Sequence, residues 1–308
     1  MAYDLAHLLA FKTIHELGSL GRAAEALGIT QPALSRTVRR LEAQVGAPLF
    51  ERHSKGMHPT EVGRALLPHA TLLLHQSQVA VEEIQALRGL ARGTVRVGTL
   101  ASLAGRTLSL ALSDLLAQHP NLQVQVVEGT WDQLHMALSQ YEVDLALGAL
   151  VDDSEEVVSV KDCRWSDSAH VIAASHHPLQ SQHPLHLQDL LGSRWALTPQ
   201  GTPPYNEFKA ALALQGLAMP TQLVQTRSVA MIKSLVVHAG FLGWCPRSMY
   251  ETELKAQLIA ELPVAEGAHR RTLTVFRRRQ GALPLPAIKL LNAIRGQISP
   301  VFPGDGAH

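Results

Sequence analysis

The chemistry this sequence offers most plainly is recognition by amide donors, hydroxyls and guanidinium forks. Thr30, Gln31, Pro32, Ser35, Arg36 and Arg39 lie close together in the chain. If that stretch is helical, Leu34, Val38, Leu41 and Val45 form a buried stripe, and Pro32, Ser35, Arg36 and Arg39 fall on the opposite face. Arginine pairs bidentately with guanine and glutamine with adenine, while serine reaches a phosphate or a base edge. Residues 30–64 hold six Lys/Arg (Arg36, Arg39, Arg40, Arg52, Lys55, Arg64) against three acids (Glu42, Glu51, Glu61), a local surplus that the whole-chain net charge of +1 conceals. The same spacing also describes an ordinary αα-corner with a solvated, charged face.

A second set of candidates follows short apolar runs further along. Thr99, Leu100, Ala101 and Ser102 come after the run Thr94–Gly98, and Thr130 and Trp131 after Leu122–Val126. Pro199, Gln200, Gly201 and Thr202 follow Trp195–Thr198, and Ser228 and Val229 follow Leu223–Gln225. In open α/β sheets ligands sit outside the carboxyl ends of strands, where loops and helix N-termini offer unpaired amides. Hydroxyls beside such amides suit a carboxylate or sulfonate. Ser102, Thr130 and Ser228 serve equally well as helix caps. Trp131 could stack on a ring or sugar face, plug the cleft or sit in a core, and Arg227 could pair with an anionic ligand or with a surface acid.

Elements able to position these residues are legible around them. Leu5, Leu8, Leu9 and Ile14 fall at helical spacing and Gly18 ends the run. Ser19 then caps a second helix whose face carries Leu20, Ala23, Ala24 and Leu27. Gly28 and Ile29 make a tight turn, and Thr30 caps a third helix opening on Gln31-Pro32, where proline is tolerated because first-turn amides have no helical acceptor. Two short helices joined by a glycine-containing turn, the second with a polar and cationic face, are what a helix-turn-helix needs to enter a major groove. From Thr60 to Leu87 one long helical pattern carries a broad apolar stripe, and Arg88–Gly93 (RGLARG) reads as a hinge.

Beyond Gly93 the rhythm changes to β-α-β-α-β: a strand near 94–98, a helix from about Gly105 to Gln118, a strand at 122–126, a helix from Asp132 to Gln140 and a strand at 143–148. A second set begins near Ala169 (AHVIAA) and includes strands at 195–198, 223–225 and 242–245, with helices near 205–215 and 228–239. A final strand, Thr272–Phe276, and a helix, Pro286–Ile298, return the chain to the first set, giving two lobes with two crossovers.

Other chemistry finds less support. Cys163 and Cys245 are the only cysteines and lie far apart, which argues against a disulfide framework or zinc module and suits a reducing cytoplasm. His176, His177, His183 and His186 crowd one stretch but lack a metal-ligand frame, so no metal or cofactor is expected. Arg277-Arg278-Arg279 follows an apparent strand and reads as a solvated edge or subunit contact. No Walker loop, Ser/His/Asp order or carboxylate pair stands out, so an enzyme is not expected. No run of 18 apolar residues suggests a membrane span, and Met1–Phe11 does not read as a signal peptide.

The stretch from Leu8 to Gly63 resembles the signature of LysR-type transcription regulators. The matching residues are Gly18-Ser19, Ala23-Ala24, Leu27, Thr30-Gln31-Pro32-Ala33-Leu34-Ser35, Val38, Leu41-Glu42, Gly46, Leu49-Phe50, Arg52, Thr60 and Gly63. Gly21 and Pro59 depart from the pattern, and Trp131 stands where many relatives carry a small hydroxyl residue. The later stretches "GTVRVGTL", "DLALG" and "LVVHAGFLGWCP" resemble the family's effector domain. "TLTVFRRRQGALPLP" is similar to regulators of sugar or aromatic-acid uptake and breakdown.

The resemblance implies an N-terminal all-α winged helix-turn-helix over residues 1–60 and a linker helix over 61–89 that pairs two chains. It implies an α/β effector domain over 90–308 with a two-lobed, periplasmic-binding-protein-like (type 2) fold. Lobe I then spans about 93–165 and 267–300, and lobe II about 166–266. The implied function is sequence-specific DNA binding controlled by a small molecule held between the lobes, an anionic organic acid or sugar-derived compound. Base or backbone contacts are implied for Gln31, Pro32, Ser35 and Arg36, and a wing over Phe50–Pro59 would bring Arg52 and His53 to the minor groove or phosphates. Double-stranded DNA, a second copy of the chain in a dimer or homotetramer, and RNA polymerase are the implied partners, in the cytoplasm.

Overall fold

Each of the first helices begins where a side chain can take the place of a missing backbone acceptor. In the computed structural model, which describes residues 3–53, 56–87, 93–182, 184–266 and 268–298, Asp4 accepts from the Ala6 amide at 2.8 Å and opens α1 (Leu5–Leu17). Ser19 caps α2 (Leu20–Ala26), and Thr30 caps α3 (Gln31–Val45) by accepting from the Ala33 amide. A two-stranded wing follows: β1 (Phe50–His53) runs antiparallel to β2 (Gly56–Pro59), with Phe50 opposite Pro59. Thr60 then caps α4 (Glu61–Leu87), accepting from the Gly63 amide at 3.0 Å.

These elements form the first of two units, built chiefly from the chain up to Gly93. Its core joins Leu8, Phe11 and Ile14 to Ala23, Leu34, Leu41, Leu49 and Leu66. The buried stripe of α3 is Leu34, Val38 and Leu41, as its spacing predicts, while Val45 is only partly buried. Glu42, on the same helix, turns its carboxylate to the Leu49 amide at 2.8 Å and so fixes the loop that leads into the wing. Gly63 is required by space: a Cβ there would run into the Leu49 carbonyl oxygen. Pro59 closes the wing without loss of the ladder, because the Thr60 amide bonds Leu49 at 3.0 Å in its place. Residues 88–92 of the expected hinge lie outside the described residues.

The second unit is α/β. Its first lobe runs β3 (Thr94–Thr99), α5 (Ala101–Leu103), a π-turn (Ala104–Leu108), α6 (Ser109–Gln118), β4 (Gln123–Glu128), α7 (Trp131–Ser139) and β5 (Leu145–Ala149). There follow β6 (Val157–Ala174), β7 (Trp195–Leu197), α8 (Pro203–Leu214), β8 (Leu223–Gln225), α9 (Val229–Ala239), β9 (Leu242–Pro246), α10 (Arg247–Lys255), β10 (Ile259–Glu261), β11 (His269–Arg278) and α11 (Leu285–Gln297). Among the described residues the strand order is β4-β3-β5-β11-β6-β9-β7-β8, with β10 on β6. Parallel triplets lie at either end, β4-β3-β5 and β8-β7-β9, and the antiparallel pair β6 and β11 carries the chain between them. This is the two-lobed architecture with two crossovers.

Three expectations need correction. The helix after β3 starts at Ala101, not near Gly105, because Gly105 is absorbed in the π-turn rather than breaking the helix. The second set begins at Val157, since β6 is 18 residues long; Lys161, Asp162 and Arg164 interrupt the apolar rhythm that would have revealed it. The Arg277–Arg279 run is a solvated edge only in part: Arg279 is exposed and Arg277 half-buried, but Arg278 is not solvated. Arg278 lies inside β11, 5% exposed, reaching Asp144 at 3.7 Å and donating to the Leu138 and Val143 carbonyls. Asp144 in turn accepts from the Arg96 amide at 2.9 Å. A buried cation needs such partners.

Candidate nucleic-acid interface and ligand site

On α3 the side opposite the Leu34–Leu41 stripe is open to solvent. Gln31, Pro32, Arg36 and Arg39 are exposed and Ser35 is half-buried. Among the described residues neither Arg36 nor Arg39 has an acid or hydrogen-bond partner, so both guanidinium groups are available to an external acceptor. Thr30 spends its hydroxyl on the cap, which holds the first turn where Gln31 sits. Arg52 and His53 lie on β1 opposite Met57 and Gly56, but their side chains and the wing tip at 54–55 lie outside the described residues. The turn before α2 is stiffened by Arg22, whose guanidinium donates to the Leu17 carbonyl.

The strand-end residues of the second unit assemble as two groups. In the first lobe the parallel pairing of β3 and β4 brings Thr99 beside Gly129, whose amide bonds the Thr99 carbonyl at 3.2 Å. Leu100 follows, bonded to the Leu147 carbonyl, and Ala101 opens α5. Thr130 gives its amide and hydroxyl to Gln133, a turn-closing role. Trp131 packs on one side, its ring 4.1 Å from that of Phe276 and against Gly148, next to the Leu134–Leu138 core, and the rest of its surface stays open. In the second lobe the pairing of β7 and β8 sets Pro199–Thr202 beside Gln225, which accepts from the Gln200 amide. Gly201 takes φ 87°, a left-handed conformation that favours glycine. Thr202 hydrogen-bonds Thr198 and the Pro199 carbonyl, both at 2.7 Å, while Ser228 caps α9 through the Met231 amide and Val229 packs beneath it. Arg227 is exposed and has no acid partner among the described residues.

Ser102 is 7% exposed and leads to residues the sequence did not flag. It accepts from Arg271 Nη2 at 3.2 Å, and the same guanidinium grips Asp167 through Nη2 at 2.8 Å and Nε at 3.2 Å. Asp167 also accepts from the Ser248 hydroxyl at 2.9 Å and the Ser248 amide at 3.3 Å. One buried ion pair on the crossover strands therefore ties the start of α5 to the start of α10. Arg271 and Asp167 stand opposite each other across β11 and β6. No local signal marks them, because charges interrupt the strand 157–174 and the two residues are 104 apart in sequence.

The histidine stretch is locally occupied. His177 Nδ1 accepts from the Leu179 amide, and burial with the neighbouring His176 pushes its pKa below the ordinary histidine value. His186 faces Glu266 at 3.3 Å, and His183 lies outside the described residues. No group of three or more metal-ligating side chains occurs among the described residues. Burial pushes both Cys163 and Cys245 up to about 12, so at pH 8 their thiols stay protonated. Native protein is therefore expected to resist alkylation by iodoacetamide and urea-unfolded protein to take up two labels, as mass spectrometry would count; rapid native labelling would contradict the packing described.

Comparison with known proteins gives matches over both units. Residues 5–64 match the family described as "Bacterial regulatory helix-turn-helix protein, lysR family", and residues 88–299 match the "LysR substrate binding domain". The HTH-type transcriptional regulator YdcI of Escherichia coli K12 is 27% identical over 291 residues, 94% of each chain. The HTH-type transcriptional regulator GalR of Pseudomonas putida is 29% identical over 296 residues, 96% of this chain and 74% of its own. Among solved structures, full-length LysG from Corynebacterium glutamicum with a bound effector superposes with a TM-score of 0.68 at 16% identity, covering 97% of this chain and 100% of its own. Full-length CbnR complexed with its target DNA gives 0.61 at 18% identity, covering 96% and 100%. No helix among the described residues is long and apolar enough to cross a membrane.

Proposed function

Since the chain belongs to the LysR family of bacterial DNA-binding transcriptional regulators, we propose that α3 reads its operator and that a small molecule held by the strand-end loops sets the outcome. The observation that carries the first part is the exposed row of Gln31, Arg36 and Arg39, with half-buried Ser35 beside it, unpartnered among the described residues on a capped, well-packed helix. Gln31 and Arg36 take base edges, Thr30, Pro32, Ser35 and Arg39 position the backbone, and Arg52 and His53 act from the wing. Operation is by binding rather than catalysis, in the cytoplasm, with residues 1–60, 61–89 and 90–308 as reader, linker and sensor.

The effector reading rests on Thr99, Leu100, Ala101 and Ser102 with Thr130 and Trp131 on one lobe, and Pro199, Gln200, Gly201, Thr202, Ser228 and Val229 on the other. An anionic organic acid or sugar-derived compound suits these hydroxyls and helix-end amides. Such a ligand acts only by preferring one lobe arrangement, because equal affinity for two arrangements shifts nothing. Exposed Leu73, Val81 and Ile84 on α4 favour pairing with a second copy, within a homotetramer that also meets RNA polymerase.

A thermal-shift screen of small carboxylates, aromatic sulfonates and sugar acids tests the sensing role. A ligand at 100 times its Kd stabilises by about 2.7 kcal/mol, a rise of several degrees. Replacing Ser102 by leucine is expected to abolish that rise and leave operator binding in a gel-shift titration unchanged. A retained ligand response would remove Ser102 from the site, and simultaneous loss of DNA binding would point to misfolding.

A further inference from the structure

Beside the Arg271–Asp167 pair the second unit forms a half-open cavity of about 350 Å³ that includes none of the strand-end loop residues. Its walls come from three places: Arg106 on the π-turn, Arg247 and Glu251 on the first two turns of α10, and Arg270 on β11. Ser166, Ser168, Ser248, Thr107 and Trp165 complete the lining, with the Ser248 hydroxyl held by Asp167 and the Ser168 hydroxyl by His170.

The charges are unevenly matched. Asp167 is saturated by Arg271, both donors of Ser248 and the Ser168 amide. Glu251 is taken by Arg106 Nε at 3.0 Å and by Lys255 at 3.1 Å. Arg247 reaches Glu261 through Nε at 3.6 Å, but that carboxylate also accepts from the Tyr250 hydroxyl at 2.8 Å and faces His170 at 3.7 Å. Arg270 has no acid partner among the described residues. Three arginines thus face a cavity whose carboxylates are already engaged, and no further hydrogen bond joins the guanidinium groups of Arg106, Arg247 or Arg270 to a described residue. Guanidinium forks of this kind hold oxyanions bidentately, and a positively lined, partly enclosed cleft concentrates them.

We propose that this cavity is a second ligand site, for a small doubly charged oxyanion such as a dicarboxylate or a phosphate monoester. A single carboxylate would engage one fork; two negative groups, or one dianionic phosphate, are needed to engage Arg270 together with Arg106 or Arg247. Because Arg106 belongs to one lobe and Arg247 to the other, the bound dianion fastens the π-turn to α10. It adds to the contact that Arg106 and Glu251 already make and biases the lobes toward the arrangement described here.

Isothermal titration of the full-length protein tests this with malonate, succinate, inorganic phosphate and glycerol 3-phosphate, with acetate as the monoanion control. Saturable binding of the dicarboxylates or of the phosphates, and not of acetate, is expected, and whichever series binds identifies the source. Arg270→Gln removes an exposed fork that supports no described contact, so folding is retained and affinity should fall roughly tenfold. Arg247→Gln should weaken binding in the same sense. Absence of saturable binding by every dianion, affinity for acetate equal to that for succinate, or unchanged affinity in Arg270→Gln would overturn the proposal. A ligand of the strand-end loops, by contrast, keeps its affinity in Arg270→Gln, so failure of one site is distinguishable from failure of the other.

Discussion

Arg271→Leu is expected to destabilise the protein by about 3–5 kcal/mol, the range for removing one partner of a buried ion pair. Both side chains are nearly sealed, at 7% and 6% exposure, and Arg271 is the only cation on Asp167 among the described residues. Its removal leaves the Asp167 carboxylate buried with the two Ser248 donors and one amide, and it strips Ser102 of its donor. For a domain of this size each kcal/mol corresponds to about 2–4 °C, so differential scanning calorimetry should find a melting transition lowered by about 10 °C. Asp167→Leu combined with Arg271→Met should recover most of the loss, because an apolar pair of similar volume no longer pays for desolvating charge. A melting temperature within 2–3 °C of the parent for Arg271→Leu alone would show that the pair is solvated in solution. The functional consequence is separate from the stability one. The pair joins α5 to α10 through Ser102 and Ser248, so even a folded double variant should respond more weakly to ligands than the parent.

What sequence made visible, and what it hid, follows from where the physical signal is local. Caps, turn glycines and a three-four apolar rhythm act within a few residues, so Gly18, Ser19, Gly28, Thr30 and the Leu34–Leu41 stripe located the helix-turn-helix closely. The strand-end loops were equally readable, since β3, β7 and β8 are short runs bounded by turn residues. Asp167 and Arg271 were not: they are 104 residues apart and meet only because β6 and β11 pair antiparallel in one register. Charge in a strand reads as exposure unless its partner is known, which is also why Arg278 looked solvated although Asp144 awaits it. Trp131 shows the same limit from the apolar side. Its identity admitted stacking or packing, and only the tertiary structure shows that one side of the ring packs on Phe276 and Gly148 while the rest stays open.

The second large effect falls on the reading face. Gln31→Ala with Arg36→Ala is expected to lower specific operator affinity by about 3–4 kcal/mol, several hundredfold, if each side chain supplies one bidentate base contact worth about 1–3 kcal/mol. The two positions are five residues apart in the sequence, on separate turns of α3, and each is exposed, so their losses should nearly add and neither should disturb the Leu34–Leu41 core. Arg39→Ala provides the contrast. As a backbone contact it should weaken specific and nonspecific DNA alike and reduce the salt slope by about one. Gel-shift titrations at two salt concentrations, with operator and with scrambled duplex, separate these outcomes. Equal loss on both duplexes in the double variant would reassign Gln31 and Arg36 to phosphate positioning and move base reading to other residues. Retention of full specific affinity would remove α3 as the reading helix. A selective loss on the operator alone would mean that sequence is read by Gln31 and Arg36, two exposed side chains of α3 with no internal partner among the described residues.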